Sequence, residues 1–371
     1  MKHFVRKKVC TVLLVMGICF LASPLSLLWS QTETLRMLVW EPYTQGEHRQ
    51  IFIRHVKEKF NIDLNIEVKY VSSDDDFLPA LRDMKTDIIV ASHNAPKDRR
   101  FNLIRHKLLV PVNPEHIANY PNIVPSMQKG DYCTENGEVY AVPVAYGPYG
   151  LAFNTAVFPE APDSWNVFWD PKFKGRYALG KDQYEPNVYF TALAMGMSAK
   201  EMHDYTKLNT PDFQKRLAEL AVNAAVLWEG IDRAEEMKGL ALAAVWGTSL
   251  PGLKEMGEIW KMAEPKEGST AWMDNFMISH TLKNNPVLRK IAEEWINYTL
   301  SDAYQTDLVR KAGFCPVTTT VKDHLTPEEV AALHLDDADY FRNHRILWPT
   351  LEKTDRKGMK RLWDMALEKR K

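Results

Sequence analysis

The sequence predicts an α/β fold built on a parallel sheet, and three observations carry that prediction. Short apolar runs alternate with helix-patterned stretches from Thr34 to Val90. An extended, proline-punctuated run follows at 139–147, and a second apolar strand pattern at 240–245. Strand, helix, strand, helix, strand in that order implies parallel pairing through right-handed crossovers, because a twisted strand feeding a right-handed helix packs back onto its sheet only that way.

The first strand reads as 35–40, ending on Trp40. Glu41-Pro42-Tyr43 makes a turn, since Pro42 bars helical geometry at Glu41. A helix then runs to about Phe60, with Ile51, Phe52, Val56 and Phe60 at helical spacing. Strand 64–71, a helix around 77–84 and the apolar strand 88–90 complete the unit. Ligands of such sheets sit at the carboxyl ends of the strands. That places Trp40 and Tyr43 at one candidate site loop, and Ser92, His93 and Asn94 at another. His93 reads as an incidental loop residue.

Composition narrows the class. The chain has 371 residues, 45% hydrophobic and 26% charged, with a formal net charge of -1. That suits a globular protein of two domains. Near-neutral charge argues against nucleic acid as a partner, since phosphate binding normally shows as a basic excess. The N-terminus is basic through Lys8 and almost wholly apolar from Val9 to Trp29, which reads as an export segment over 1–32. A cleaved signal, an uncleaved anchor and a lipidated Cys19 all stay open. Cys10 and Cys19 fall in that segment. Cys133 and Cys315 remain, too few for a disulfide framework, and read as two separate core thiols, with pairing left open.

The stretch Ala271-Trp272-Met273-Asp274-Asn275 carries the sharpest chemistry. In an extended segment Trp272 and Asp274 share a face, offering an aromatic plane and a carboxylate to a protonated amine. A core Trp beside a capping Asp explains the same residues. Asp182 and Glu185 stand three apart where a strand meets a helix. They serve equally as helix-start acids or as ligand acids. Trp246 ends the apolar run 240–245, while Trp228 and Trp260, in helix-like surroundings, read as packing residues. No metal spacing or cofactor motif is present, nor a G-x-S-x-G, H-E-x-x-H or phosphate loop. An enzyme using Asp182 and Glu185 as acid and base is disfavoured, because acids so close more naturally hold a fixed charge.

Taken together, these motifs make the chain similar to the extracellular solute-binding proteins of ABC importers, in the spermidine/putrescine-binding branch. The motifs are the W-x-x-Y turn at Trp40 and Tyr43, the proline-tyrosine-glycine crossing strand, and the block 164–175. Ala244-Val245-Trp246-Gly247, the segment Pro265–Gly268 with Trp272-Met273-Asp274, and Ala312-Gly313-Phe314-Cys315-Pro316 complete the set. The resemblance covers about 34–350. It implies a two-lobed, periplasmic-binding-protein-like (type II) fold, with a ligand cleft between lobe 1 (33–142 plus 272–314) and lobe 2 (143–271 plus 315–371). It implies a periplasmic, monomeric protein that captures putrescine or spermidine without a cofactor and delivers it to permease subunits. It also implies a ligand set of Trp40, Tyr43, Ser92, Asn94, Asp182, Glu185, Trp246, Trp272, Asp274 and Phe314, the last at a place where family members often carry tyrosine. A binding or sensor protein of the same fold for another organic cation is the alternative.

Overall fold

The computed structural model describes residues 31–71 and 74–370. The predicted export segment, with its signal, anchor and lipidation readings, lies outside them up to residue 30. Among the described residues no helix is long and apolar enough to cross a membrane.

The expected parallel unit forms. Strand β1 (Gln31–Val39) lies between β2 (Ile62–Tyr70) and β3 (Ile88–Ser92), parallel to both. Helices α1 (Gly46–Phe60) and α2 (Phe77–Arg82) make the crossovers. Helix α1 stops because Asn61 turns left-handed, at φ 56°, and its N–H bonds back to the carbonyl of Lys57. Helix α2 ends at Arg82, two residues before the expected limit, and Met84 takes a positive φ.

The central element is β4 (Val142–Asn154), longer than the predicted crossing strand. Its first half packs Val142, Val144, Ala145 and Tyr146 into one hydrophobic core. Its second half packs Tyr149, Leu151, Ala152 and Phe153 into another. At about 3.3 Å per residue such a strand spans roughly 40 Å, enough to run through two lobes. The second lobe adds β5 (Tyr177–Gly180), α3 (Tyr184–Ala194), α4 (Pro211–Asn223), β6 (Val226–Trp228), β7 (Leu242–Val245) and β8 (Trp260–Met262). Trp228 and Trp260 therefore lie on strands, correcting the helix-like surroundings expected of them. Both are buried, as packing residues should be.

The chain crosses back on β9 (Ser269–Ser279), antiparallel to both β3 and β4. The sheet runs β2-β1-β3-β9-β4-β7-β5-β6, one mixed surface shared by two lobes. Helix α5 (Pro286–Thr299) covers the first core, and the short β10 (Cys315–Pro316) pairs with β4. Val317 and Phe341 also join the first core, where the sequence assigned 315–371 to lobe 2. A third crossing comes only at β11 (Arg345–Leu347), parallel to β9, before α6 (Lys353–Glu368) packs Met359, Leu362 and Trp363 into the second core. Cys133 and Cys315 are free thiols.

Candidate functional site

The site begins at a register. Between β9 and β4, Trp272 stands opposite Gly147 and Asp274 opposite Ala145, while Asp274 also faces Ser92 on β3. Gly147 is required there, because a Cβ would lie 2.8 Å from the Trp272 ring. The pairing slips between Asp274 and Asn275, a bulge beside Pro143. The buried Gln305 side chain braces it, donating to the Val144 carbonyl at 2.9 Å and accepting from Val317 N–H at 2.9 Å.

Trp272 and Asp274 do share a face. The Phe314 ring stands 5.0 Å from Trp272 and 5.7 Å from Tyr43, and Tyr43 donates its hydroxyl to Asp274 Oδ2 at 2.8 Å. Pro42 sits in the short turn that swings Tyr43 inward, and Tyr304 fixes that turn by donating to the Tyr43 carbonyl at 2.8 Å. Burial pushes the Asp274 carboxyl up to about 7, with the Tyr43 hydrogen bond pulling it down and Asp74 adding to the rise. Asp274 is half-buried, and among the described residues no lysine or arginine forms an ion pair with it.

The aromatic wall continues into the second lobe. Trp246 meets Trp272 at 6.4 Å between ring centroids, Trp348 at 5.7 Å and Tyr149 at 4.7 Å. Buried Asp232 positions the Trp246 loop, accepting from the backbone N–H of Trp246 at 3.0 Å and of Ser249 at 2.8 Å. The indole N–H groups of Trp272 and Trp348 are buried with no partner among the described residues. Trp348 reaches the wall because His93 bonds its carbonyl at 2.8 Å through Nε2. Burial lowers His93 to about 4, so the ring is neutral and structural.

The other predicted residues divide. Trp40 is half-buried, edge-on to Phe77 at 6.2 Å, beside the Tyr43 turn. Ser92 donates to Asn94 Oδ1 at 2.9 Å, so this pair is partly self-satisfied. Glu185 points inward, accepting from Arg356 at 2.5 Å and from the Tyr184 hydroxyl at 2.8 Å. Asp182 is not brought to this group. It is exposed and accepts from Gly230 N–H at 3.0 Å and from the Gln183 amide at 3.1 Å, and the N-cap position of α3 falls on Gln183, which makes no side-chain capping bond.

Four residues that sequence reasoning missed line the acidic side: Asp74, Asp98, Arg100 and Arg356. Arg356 also bonds Asp98 Oδ2 at 3.0 Å. Asp98 lies in the charged run Pro96–Arg100 and Arg356 in a basic helix, both of which read as solvated surface. Only Trp348 carried a signal, as a late aromatic residue near the end of the resemblance. No cluster able to hold a metal ion occurs among the described residues.

A continuous sheet crossing between two lobes, with aromatic and acidic side chains gathered at the crossing, fits a solute-binding protein. The chain belongs to the bacterial extracellular solute-binding protein family, whose model matches residues 83–344. Proteins of this family bind small molecules and work with the permease subunits of ABC importers. The chain is 24% identical over 304 residues to the spermidine/putrescine-binding periplasmic protein of Salmonella typhimurium, covering 81% of this chain and 82% of that one. It superposes on the spermidine/putrescine ABC transporter substrate-binding protein of Streptococcus pneumoniae with a TM-score of 0.74 at 19% identity, over 92% of this chain and 100% of the other. An ABC transporter solute-binding protein from Thermotoga lettingae, bound with α-D-tagatose, gives 0.65 at 15% identity over 92% and 100%. At these identities the likeness to solved structures establishes the fold.

Proposed function

We propose that this protein captures a polyamine, putrescine or spermidine, in its inter-lobe cleft outside the cytoplasm and delivers it to an ABC permease. The observation that carries the reading is the aromatic wall ending on Asp274, a half-buried carboxylate whose neighbour Tyr43 is a neutral hydroxyl. A polyamine is an apolar chain with cationic ends, so it matches aromatic faces and a carboxylate without a counter-charge. Each desolvated cation–π contact contributes roughly 0.5 to 2 kcal/mol. A hydrogen bond to a charged group adds about 1.5 to 3 kcal/mol. The same cleft disfavours neutral solutes, which leave the carboxylate unpaired.

In this reading Tyr43, Trp246, Trp272, Asp274 and Phe314 hold the amine-bearing chain, with Trp40, Ser92 and Asn94 at its flank. Glu185 acts through Arg356, and Asp182 braces the Gly230 loop. The role is binding, not catalysis. The alternative, a sensor for another organic cation, draws support from the Arg356–Glu185 pair, which removes one expected ligand acid. Titration calorimetry with putrescine, spermidine, spermine and a neutral amino acid tests the reading. Micromolar or tighter binding of a polyamine and none of the amino acid is the expected result. Heat from no polyamine at micromolar concentration would discard it.

A further inference from the structure

The acidic side of the cleft contains a cation that belongs to the protein. Arg356, on α6 of the second lobe, inserts its guanidinium between Glu185 of that lobe and Asp98 of the first. Its Nη1 donates to Glu185 at 2.5 Å and its Nη2 to Asp98 at 3.0 Å. The Asp98 side chain is 0% exposed, Glu185 12% and Arg356 14%. Asp98 is gripped again by Arg100, through the backbone N–H at 2.8 Å and Nη2 at 3.1 Å. Arg100 Nη2 in turn stands 3.9 Å from Asp74. The charges alternate as Asp74, Arg100, Asp98, Arg356, Glu185. Three carboxylates and two guanidiniums leave this row one negative charge, and Asp274 supplies a second.

We propose that Arg356 is a specificity-determining residue: by occupying the Glu185 end of the cleft it leaves the acidic side a net of two negative charges, so that the site takes a diamine in preference to a triamine. The inference rests on the polyamine reading above. A third ammonium directed at Glu185 meets a guanidinium already bonded there. Displacing that group breaks one of its two partly buried ion pairs and leaves it Asp98 alone, at a cost larger than one new contact returns. Burial raises the carboxyls of Asp74, to about 6, and of Asp274, to about 7, with Arg100 pulling Asp74 down and the Tyr43 hydrogen bond pulling Asp274 down. Because Asp98 and Arg356 come from different lobes, the row is complete only when the lobes meet, and the net charge of the acidic side is set at closure.

The test is calorimetry at pH 8 with putrescine and spermidine on the full chain, comparing wild type, Arg356→Gln and Arg356→Lys. Wild type should prefer putrescine by tenfold or more. Arg356→Gln should shift the ratio toward spermidine by at least tenfold, and Arg356→Lys should keep the wild-type order, because the cation remains. The ratio is the readout because a purely structural role would weaken both amines alike. An unchanged ratio in Arg356→Gln overturns the inference. Equal binding of both amines by wild type does so without any variant, should Arg356→Gln fail to fold. Binding of neither amine by wild type removes the polyamine reading itself, and the inference with it.

Discussion

Asp274 concentrates the chemistry of this cleft in one titratable group. Its carboxyl is raised to about 7, against about 3.9 for an exposed aspartate. Between those values the folded protein holds a proton that the unfolded chain has released. The stability contribution of this group is therefore full below about pH 4 and lost as pH rises to about 7. Thermal unfolding of the free protein should show this loss, and Asp274→Asn should flatten it. Equal pH slopes in the two proteins would exclude Asp274 as the source. Cation binding runs the opposite way, because the ammonium needs the ionised form, so affinity should climb between pH 6 and 8. Asp274→Ala should cost about 1.5 to 3 kcal/mol of binding, roughly ten- to a hundredfold by calorimetry. The pairing of Trp272 with Asp274 was legible in the sequence, since period-2 geometry fixes which residues of a strand share a face. The fate of Asp182 was not, because three residues of sequence do not say which of two acids turns inward at a helix start.

Elements hold these residues in place through features that are themselves specific. Gly147 lets the Trp272 ring lie against the crossing strand, and a methyl there would meet it at 2.8 Å. Gly147→Ala should cost about 1 to 3 kcal/mol in urea unfolding, the usual range for overpacking, and weaken ligand binding with it. Gln305 holds the Val144 carbonyl of the bulge that aims Asp274, together with the Val317 N–H and the Thr299 carbonyl. Gln305→Leu strands all three and should lower stability by about 1 to 3 kcal/mol per lost partner. The strand–helix alternation of the first 90 residues could be read because apolar periodicity is a local property. The bulge and its glutamine brace could not, since the bond joins residues 161 apart in sequence.

Across the whole molecule, Trp246 of the second lobe meets Trp272 and Arg356 meets Asp98. A ligand held by both lobes would favour this closed form, a shift of population whose size is the differential affinity for the two states. Saturating ligand at about 100 times the dissociation constant should stabilise the protein by about 2.7 kcal/mol. That should appear as a raised melting temperature together with a smaller radius of gyration in solution scattering. An unchanged radius would mean that the lobes stay closed without ligand. By itself the sequence determined the α/β order, the crossing strands, the aromatic–acid face at Trp272 and Asp274, and the family. These follow from local periodicity and short motifs. Only the tertiary structure decided that Val317 and Phe341 pack into the first core and that Asp182 faces solvent. It alone revealed that Glu185 is neutralised by Arg356, because a charge run in sequence looks the same whether it meets water or a carboxylate brought from the other lobe.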